Sequence, residues 1–174
     1  MMHFTTSVPI ADGRILLPMQ VEGIKRESLA SALAGHRLLS ISVPRSQSLE
    51  KAWYAQAKLS SGRILELSGS STETENWAEY GTINVTVSGA SIEVDAALSV
   101  FCVEGFVVDS IQLLVMDEGR YHIEAGLIIK AADDRVLIVV AGEIPGAFSL
   151  KLPDGQDGLD PQFPWQRYGT EPVY

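Results

Sequence analysis

Cysteine is almost missing from this chain. Cys102 is the only one, so no disulfide can close within the sequence and no cysteine pair can hold zinc. Cys102 stands between Phe101 and Val103 and reads as a small buried hydrophobe, since a thiol nucleophile needs a base beside it. Long apolar runs are missing too. The longest comparable stretch, Val136 to Gly142, falls far short of the roughly 20 residues that cross a bilayer, and it reads as a buried strand. Asp12 interrupts the apolar start and Arg14 is the first Lys or Arg, which is not the pattern of an export signal. The cytoplasm is therefore the expected compartment.

Positive charge is scarce. Thirteen Lys and Arg face 22 Asp and Glu, for a formal net charge of −9. A chain this acidic is a poor neutraliser of phosphates, so neither nucleic acid nor an anionic membrane surface is an expected partner. A basic protein would be drawn to it. Signature motifs are absent as well. There is no glycine-rich phosphate loop, no Gly-x-Ser-x-Gly elbow and no His-Glu-x-x-His, so no cofactor, metal or catalytic residue is assigned. Oligomeric state leaves no mark in the sequence.

What is present is a β pattern in a chain of one-domain length. The 174 residues are enough to bury about 70% of the surface of the unfolded chain without a metal or a disulfide. Ile83, Val85 and Val87 alternate with Thr82, Asn84 and Thr86, the mark of a half-buried antiparallel strand. Ser88 to Ala90 reads as a turn, with Ile92 to Val94 starting back. Val107 to Val115 alternates with Ile111 and Leu113 on one face. Tyr121 to Lys130 alternates with Tyr121, Ile123, Ala125, Leu127 and Ile129 inward. Val136 to Ala141 is apolar on both faces, as in a central strand, and Ala147 to Leu152 adds another. Asp117-Glu118-Gly119 and Asp133-Asp134 are turns between them.

The first half offers Arg14 to Leu17 and Leu38 to Val43 as strands, and Trp53 to Leu59 with Arg63 to Leu67 as a hairpin around Ser60-Ser61-Gly62. Ser28 to Gly35 reads as a two-turn helix with Ser28 as its cap and Gly35 as its stop. A second short helix is expected over Glu75 to Tyr80. The expected fold is mainly β (α+β), an antiparallel sandwich or strongly bent sheet with one or two short helices. Residues 1–152 form the single β-rich domain. Residues 153–174, broken by Pro153, Pro161, Pro164 and Pro172, form an irregular tail packed on it.

Two segments combine acids with aromatics. One carries Glu73, Glu75, Trp77, Glu79 and Tyr80. The other carries Asp157, Asp160, Phe163, Trp165 and Tyr168. Aromatic anchors supply much of the energy at protein interfaces, and surrounding charge steers the encounter. The competing reading is that each aromatic fills a gap in the fold. Three further polar residues are weaker site candidates. His122 and Glu124, two apart on a strand, point the same way and suit proton transfer or metal binding, although an ordinary solvated sheet face is the stronger reading of the pair. Asp109 shares strand parity with Val107 and Ile111, which would bury a carboxylate unless the start of the strand reaches water.

The stretch Ile138 to Pro145, followed by Asp160-Pro-Gln-Phe-Pro and Arg167-Tyr168, resembles the ends of some small bacterial proteins. The resemblance covers about the last fifth of the chain and transfers no activity. The functional expectation is a non-enzymatic acidic protein-binding module. Its sharpest form is a bacterial immunity protein that neutralises a basic toxin domain. The alternative is a small-molecule-binding β domain, or an enzyme with a motif-less cleft.

Overall fold

A computed structural model describes residues 7–89 and 97–174. The chain is mostly β, a strongly curled half-barrel sheet with one short helix. In chain order the elements are β1 (Val8–Pro9), β2 (Ile15–Leu17), β3 (Gln20–Glu22), α1 (Leu29–Leu33), β4 (Arg37–Pro44), β5 (Tyr54–Leu59), β6 (Ile64–Glu73) and β7 (Glu79–Ser88). They continue with β8 (Leu98–Glu118), β9 (Tyr121–Ala131), β10 (Val136–Ala141), β11 (Phe148–Lys151) and β12 (Gly169–Pro172). Hydrogen bonding links them in the order β1-β2-β9-β8-β4-β5-β6-β7-β3, with β10 between β9 and β11, and β12 on β8. No described helix is long and apolar enough to cross a membrane.

The hairpins expected from alternation form. Tyr54 to Lys58 pairs with Ile64 to Ser68 across a turn that ends at Gly62, whose φ of +85° suits glycine. Val136 to Val140 pairs with Gly126 to Lys130 around Asp133 and Asp134, and β10 is indeed flanked on both sides. The helix is shorter than expected. A 3₁₀ turn over Arg26–Ser28 leads into α1, and the Ser28 side chain caps nothing. Gly35 ends it at a φ of +79°.

The main core lies between the two walls of the curl. Ile41, Ala55, Ala57, Leu65, Leu67, Ile83 and Val85 from β4 to β7 meet Leu113, Leu127, Ile129, Leu137, Val139 and Leu150 from β8 to β11, with Leu29 and Leu33 of α1 packed in. Burying these faces supplies the main drive to fold. Thr82 and Asn84, expected on a half-exposed face, are buried, so β7 is covered on both sides. The expected turn at Ser88 to Ala90 and the strand from Ile92 fall partly or wholly outside the described residues.

Two register shifts in the β8–β9 ladder change which face each residue takes. On β8, Val108 pairs with Ala131 and Ser110 with Lys130, so Asp109 is an extra residue. Parity flips there, so Phe106 and Val108 point inward and Val107, expected on the apolar face, is exposed. Asp109 reaches water, as the reading of an open strand start has it, and it does so because the bulge turns it outward. On β9 the extra residue is Ala125, between the Leu114–Gly126 and Val115–Glu124 pairs. The expected single face of Tyr121, Ile123, Ala125, Leu127 and Ile129 is therefore split. Leu127 and Ile129 enter the main core, while Tyr121, Ile123 and Ala125 join Leu17, Tyr80 and Met116 in a second cluster. Cys102 also departs from expectation. It is exposed on the outer face of β8, opposite Ser40, while its neighbours Phe101 and Val103 pack on the core.

Packing tolerance differs sharply between β9 and the turn that follows it. A Cβ on Gly126 would lie 2.2 Å from the Val139 carbonyl oxygen, a backbone atom with no room to move. Gly126→Ala is expected to cost about 1–3 kcal/mol, as overpacking does. Two glycines inserted after Asp133 should cost less than about 1 kcal/mol, because closure entropy grows slowly with loop length. Urea unfolding of the two variants checks the contrast, and a larger loss from the insertion would contradict this pairing of β9 and β10.

Candidate functional site

The first acidic and aromatic segment does not form the expected helix. Pairing of β6 with β7 runs without a break from Ile64–Ser88 to Glu73–Glu79, and this ladder outweighs the local helical bias. Residues 74–78 close the hairpin. Trp77 N–H donates to the Thr74 carbonyl at 2.9 Å, and Thr74 N–H donates to the Ala78 carbonyl at 2.8 Å. Trp77 holds a φ of +61°, in the left-handed region. A three-residue hairpin loop asks for that conformation at its last residue, and glycine meets it without a steric cost. Here a tryptophan meets it, and 86% of its surface is exposed.

The other members of the two segments divide. Glu73, Glu75 and Glu79 are exposed around Trp77, with Glu75 ion-paired to Arg120. Tyr80 is only 9% exposed. Its ring lies 5.6 Å from Tyr121 and 6.2 Å from Phe163, so it joins the fold and not the surface. That contact brings the tail beside the hairpin, and Gln162 straps them together. Its Oε1 accepts from Gly81 N–H at 2.9 Å, and its Nε2 donates to the Glu79 carbonyl at 2.7 Å.

Further along the tail, Arg167 stands 5.1 Å over Phe163, and Tyr168 lies 5.7 Å from Trp165. Asp157 caps the Leu159 N–H at 3.0 Å and reaches Lys151 at 3.7 Å. Asp160 is exposed, held by its N–H to Ser149 Oγ at 2.9 Å. The tail is not wholly irregular, because Gly169–Pro172 forms β12 against Gln112 to Val115 of β8. Trp165, 40% exposed, and Tyr174, 76% exposed, are the large apolar groups that the tail shows to solvent.

His122 and Glu124 do share a face, but it is not a solvated one. The Ala125 bulge turns them toward the end of the main core, on the side of Val115 and Asp117. Glu124 is 4% exposed and fully engaged. Arg26 donates to both its oxygens at 2.6 Å, and Met19 N–H donates to Oε2 at 2.6 Å. Arg26 also donates to the carbonyls of Met19 and Tyr174, each at 2.9 Å. A carboxylate so paired is a structural tie between β3's lead-in, β9 and the end of the chain.

His122 Nδ1 lies 2.6 Å from Asp117 and Nε2 lies 3.3 Å from Glu171 of β12. Arg14 donates to Asp117 at 2.7 Å and stands 3.4 Å from the same imidazole nitrogen. Among the described residues no group of three or more His, Cys, Asp or Glu converges as a metal site would require. No family model, curated protein or solved structure matches this chain.

The His122 cluster makes stability depend on pH. Burial works against the imidazolium, but hydrogen bonds to Asp117 and Glu171, and the attraction of both carboxylates, outweigh it and raise the His122 pKa above 6.5. A raised folded pKa means that the stabilisation is complete below about 6.5, the unfolded value, and is lost as pH climbs through the folded one. Urea midpoints of wild type and His122→Gln, compared from pH 5.5 to 9, should therefore converge as pH rises. A gap that stays constant or widens with pH would contradict an ionic role for this histidine.

Proposed function

We propose that this protein is a non-enzymatic, acidic protein-binding module whose contact element is the tip of the β6–β7 hairpin. Trp77 carries the reading. A left-handed residue with a side chain costs about 1–2 kcal/mol, which glycine avoids. The turn would close as well without the indole, and the indole gains almost no burial within the chain. Large aromatic side chains at the centre of a contact are what interfaces use as anchors. Glu73, Glu75 and Glu79 surround the tip, and the net charge of −9 extends the same sign over the molecule. Such a field speeds encounter with a cationic protein and rejects an acidic one. In its sharpest form the partner is a basic toxin domain and the module a cytoplasmic immunity protein.

The decisive variant is Trp77→Gly. It removes the anchor while relieving the backbone, so folding stability should match or exceed wild type by up to about 1 kcal/mol. Immobilised wild type and variant are exposed to extract of the source cells at low salt, and captured proteins are identified by mass. A cationic protein held by wild type, released as salt rises and missing from the variant, is the expected result. No difference between the two captures, or an acidic protein as the difference, contradicts the reading. A variant that unfolds more easily than wild type would show that Trp77 serves the fold.

A further inference from the structure

The first half of β8 has a partner on one side alone. From Leu98 to Val107 it pairs with β4, and β9 takes up the opposite side from Val108 onward. Among the described residues no strand pairs with that opposite edge over Leu98 to Val103.

The direction of the backbone groups follows from the ladder. The Ala97 carbonyl accepts from Arg45 N–H at 2.8 Å, so it points to β4. Pairing with β4 is regular from Leu98 to Cys102, so Ser99 and Phe101 point the same way as Ala97. Leu98, Val100 and Cys102 alternate with them and turn their N–H and C=O groups to the open edge. Glu104 marks where that edge ends, because its carbonyl accepts from Arg135 Nη1 at 2.8 Å. The side chains alternate as well. Val100 is 59% exposed and Cys102 is exposed, while Phe101 and Val103 pack on the main core.

Elsewhere the sheet guards its margins. β1 ends on Pro9, β12 ends on Pro172, and β11 is bridged by Ala52 and Asp157. Leu98 to Val103 contains neither proline nor charge. An edge of this composition is a template for a further strand.

We propose that two copies of this chain pair antiparallel along the open edge of β8, about a two-fold axis at Val100. Symmetry selects the second copy, because the edge is complementary to itself. The axis sets Val100 against Val100 and Leu98 against Cys102, so each open N–H meets an open C=O of the other copy. A two-fold contact of this kind uses up the edge and closes as a dimer. Charge permits it, since the stretches that meet are neutral and Glu104 lies beyond them. Area sets its strength. A ladder this short falls far below the roughly 20–30 residues a side of a stable interface, so the dimer is weak and forms with concentration. Each copy carries −9, and screening of that repulsion tightens the dimer as salt rises. This is the opposite of the salt response expected for capture of a cationic protein, and the contact is independent of Trp77.

The test is sedimentation equilibrium of the full chain from about 10 µM to about 1 mM, the range of weak contacts, at low and at high salt. Reductant is present, so that no disulfide through Cys102 contributes. Val100→Pro removes an N–H of the open edge and leaves the β4 ladder whole, as proline on an edge strand does. Val100→Lys opposes two like charges at the axis. A dimer that grows with concentration and with salt is expected, and both variants should weaken it about tenfold or more through the lost hydrogen bonds or the repulsion. Amide exchange should slow with concentration at Val100 and Cys102 and not at Phe101, whose N–H faces β4. Should Val100→Pro unfold the chain, Val100→Lys, a change at an exposed side chain, carries the test. A wild type that stays monomeric up to 1 mM, a dimer that Val100→Lys leaves intact, or growth past the dimer would each overturn the proposal.

Discussion

The pairing of β8 with β4 over one half of its length and with β9 over the other ties both walls of the curl to one backbone. At 21 residues β8 is long for a globular strand, and it stays continuous because bulges bend it where a straight strand would run out of the sheet. Everything else is placed by it. β4 leads to the β5–β6–β7 wall, β9 leads to β10 and β11, and β12 closes on the remaining edge at Gln112 to Val115. The hairpin that carries Trp77 is thus a projection from a wall whose position is fixed elsewhere.

Bulges also explain how polar groups come to sit at the end of an apolar core. The extra residue at Ala125 rotates His122 and Glu124 inward, and each needs compensation once it leaves water. Arg26 supplies it for Glu124 from the 3₁₀ turn, and Asp117 and Glu171 supply it for His122 from β8 and β12. These ties bind the lead-in to β3, the 3₁₀ turn and β12 to the sheet. They leave no open coordination on Glu124, so this carboxylate serves the architecture.

Much of this fold was legible in the sequence. Period-two alternation marked β7 and β9, the all-apolar run marked β10 as central, and Ser-Ser-Gly and Asp-Asp marked turns. Alternation carries no sign of an inserted residue, however, so the faces of Asp109, Val107, His122 and Glu124 were misread at two bulges. Cys102 was misread for a related reason, because the outward face of β8 could not be told from the inward one between two apolar neighbours. In the candidate site, the acidic and aromatic composition was visible but not its division. Tyr80 and Phe163 fill the fold and Trp77 does not, a difference set by the left-handed turn at residue 77, where the sequence shows tryptophan in place of glycine.

The central claim is that a side chain is kept in a strained and solvent-exposed place because something outside the chain covers it. Incorporation of 5-fluorotryptophan gives one fluorine resonance for each of Trp53, Trp77 and Trp165, assigned by single substitutions. The spectrum is recorded in buffer, where the Trp77 line should show a large solvent isotope shift, and then in concentrated extract of the source cells. The account predicts that the Trp77 line alone broadens strongly and loses its sensitivity to the solvent isotope. A Trp77 line that stays narrow and solvent-sensitive in that extract would contradict it.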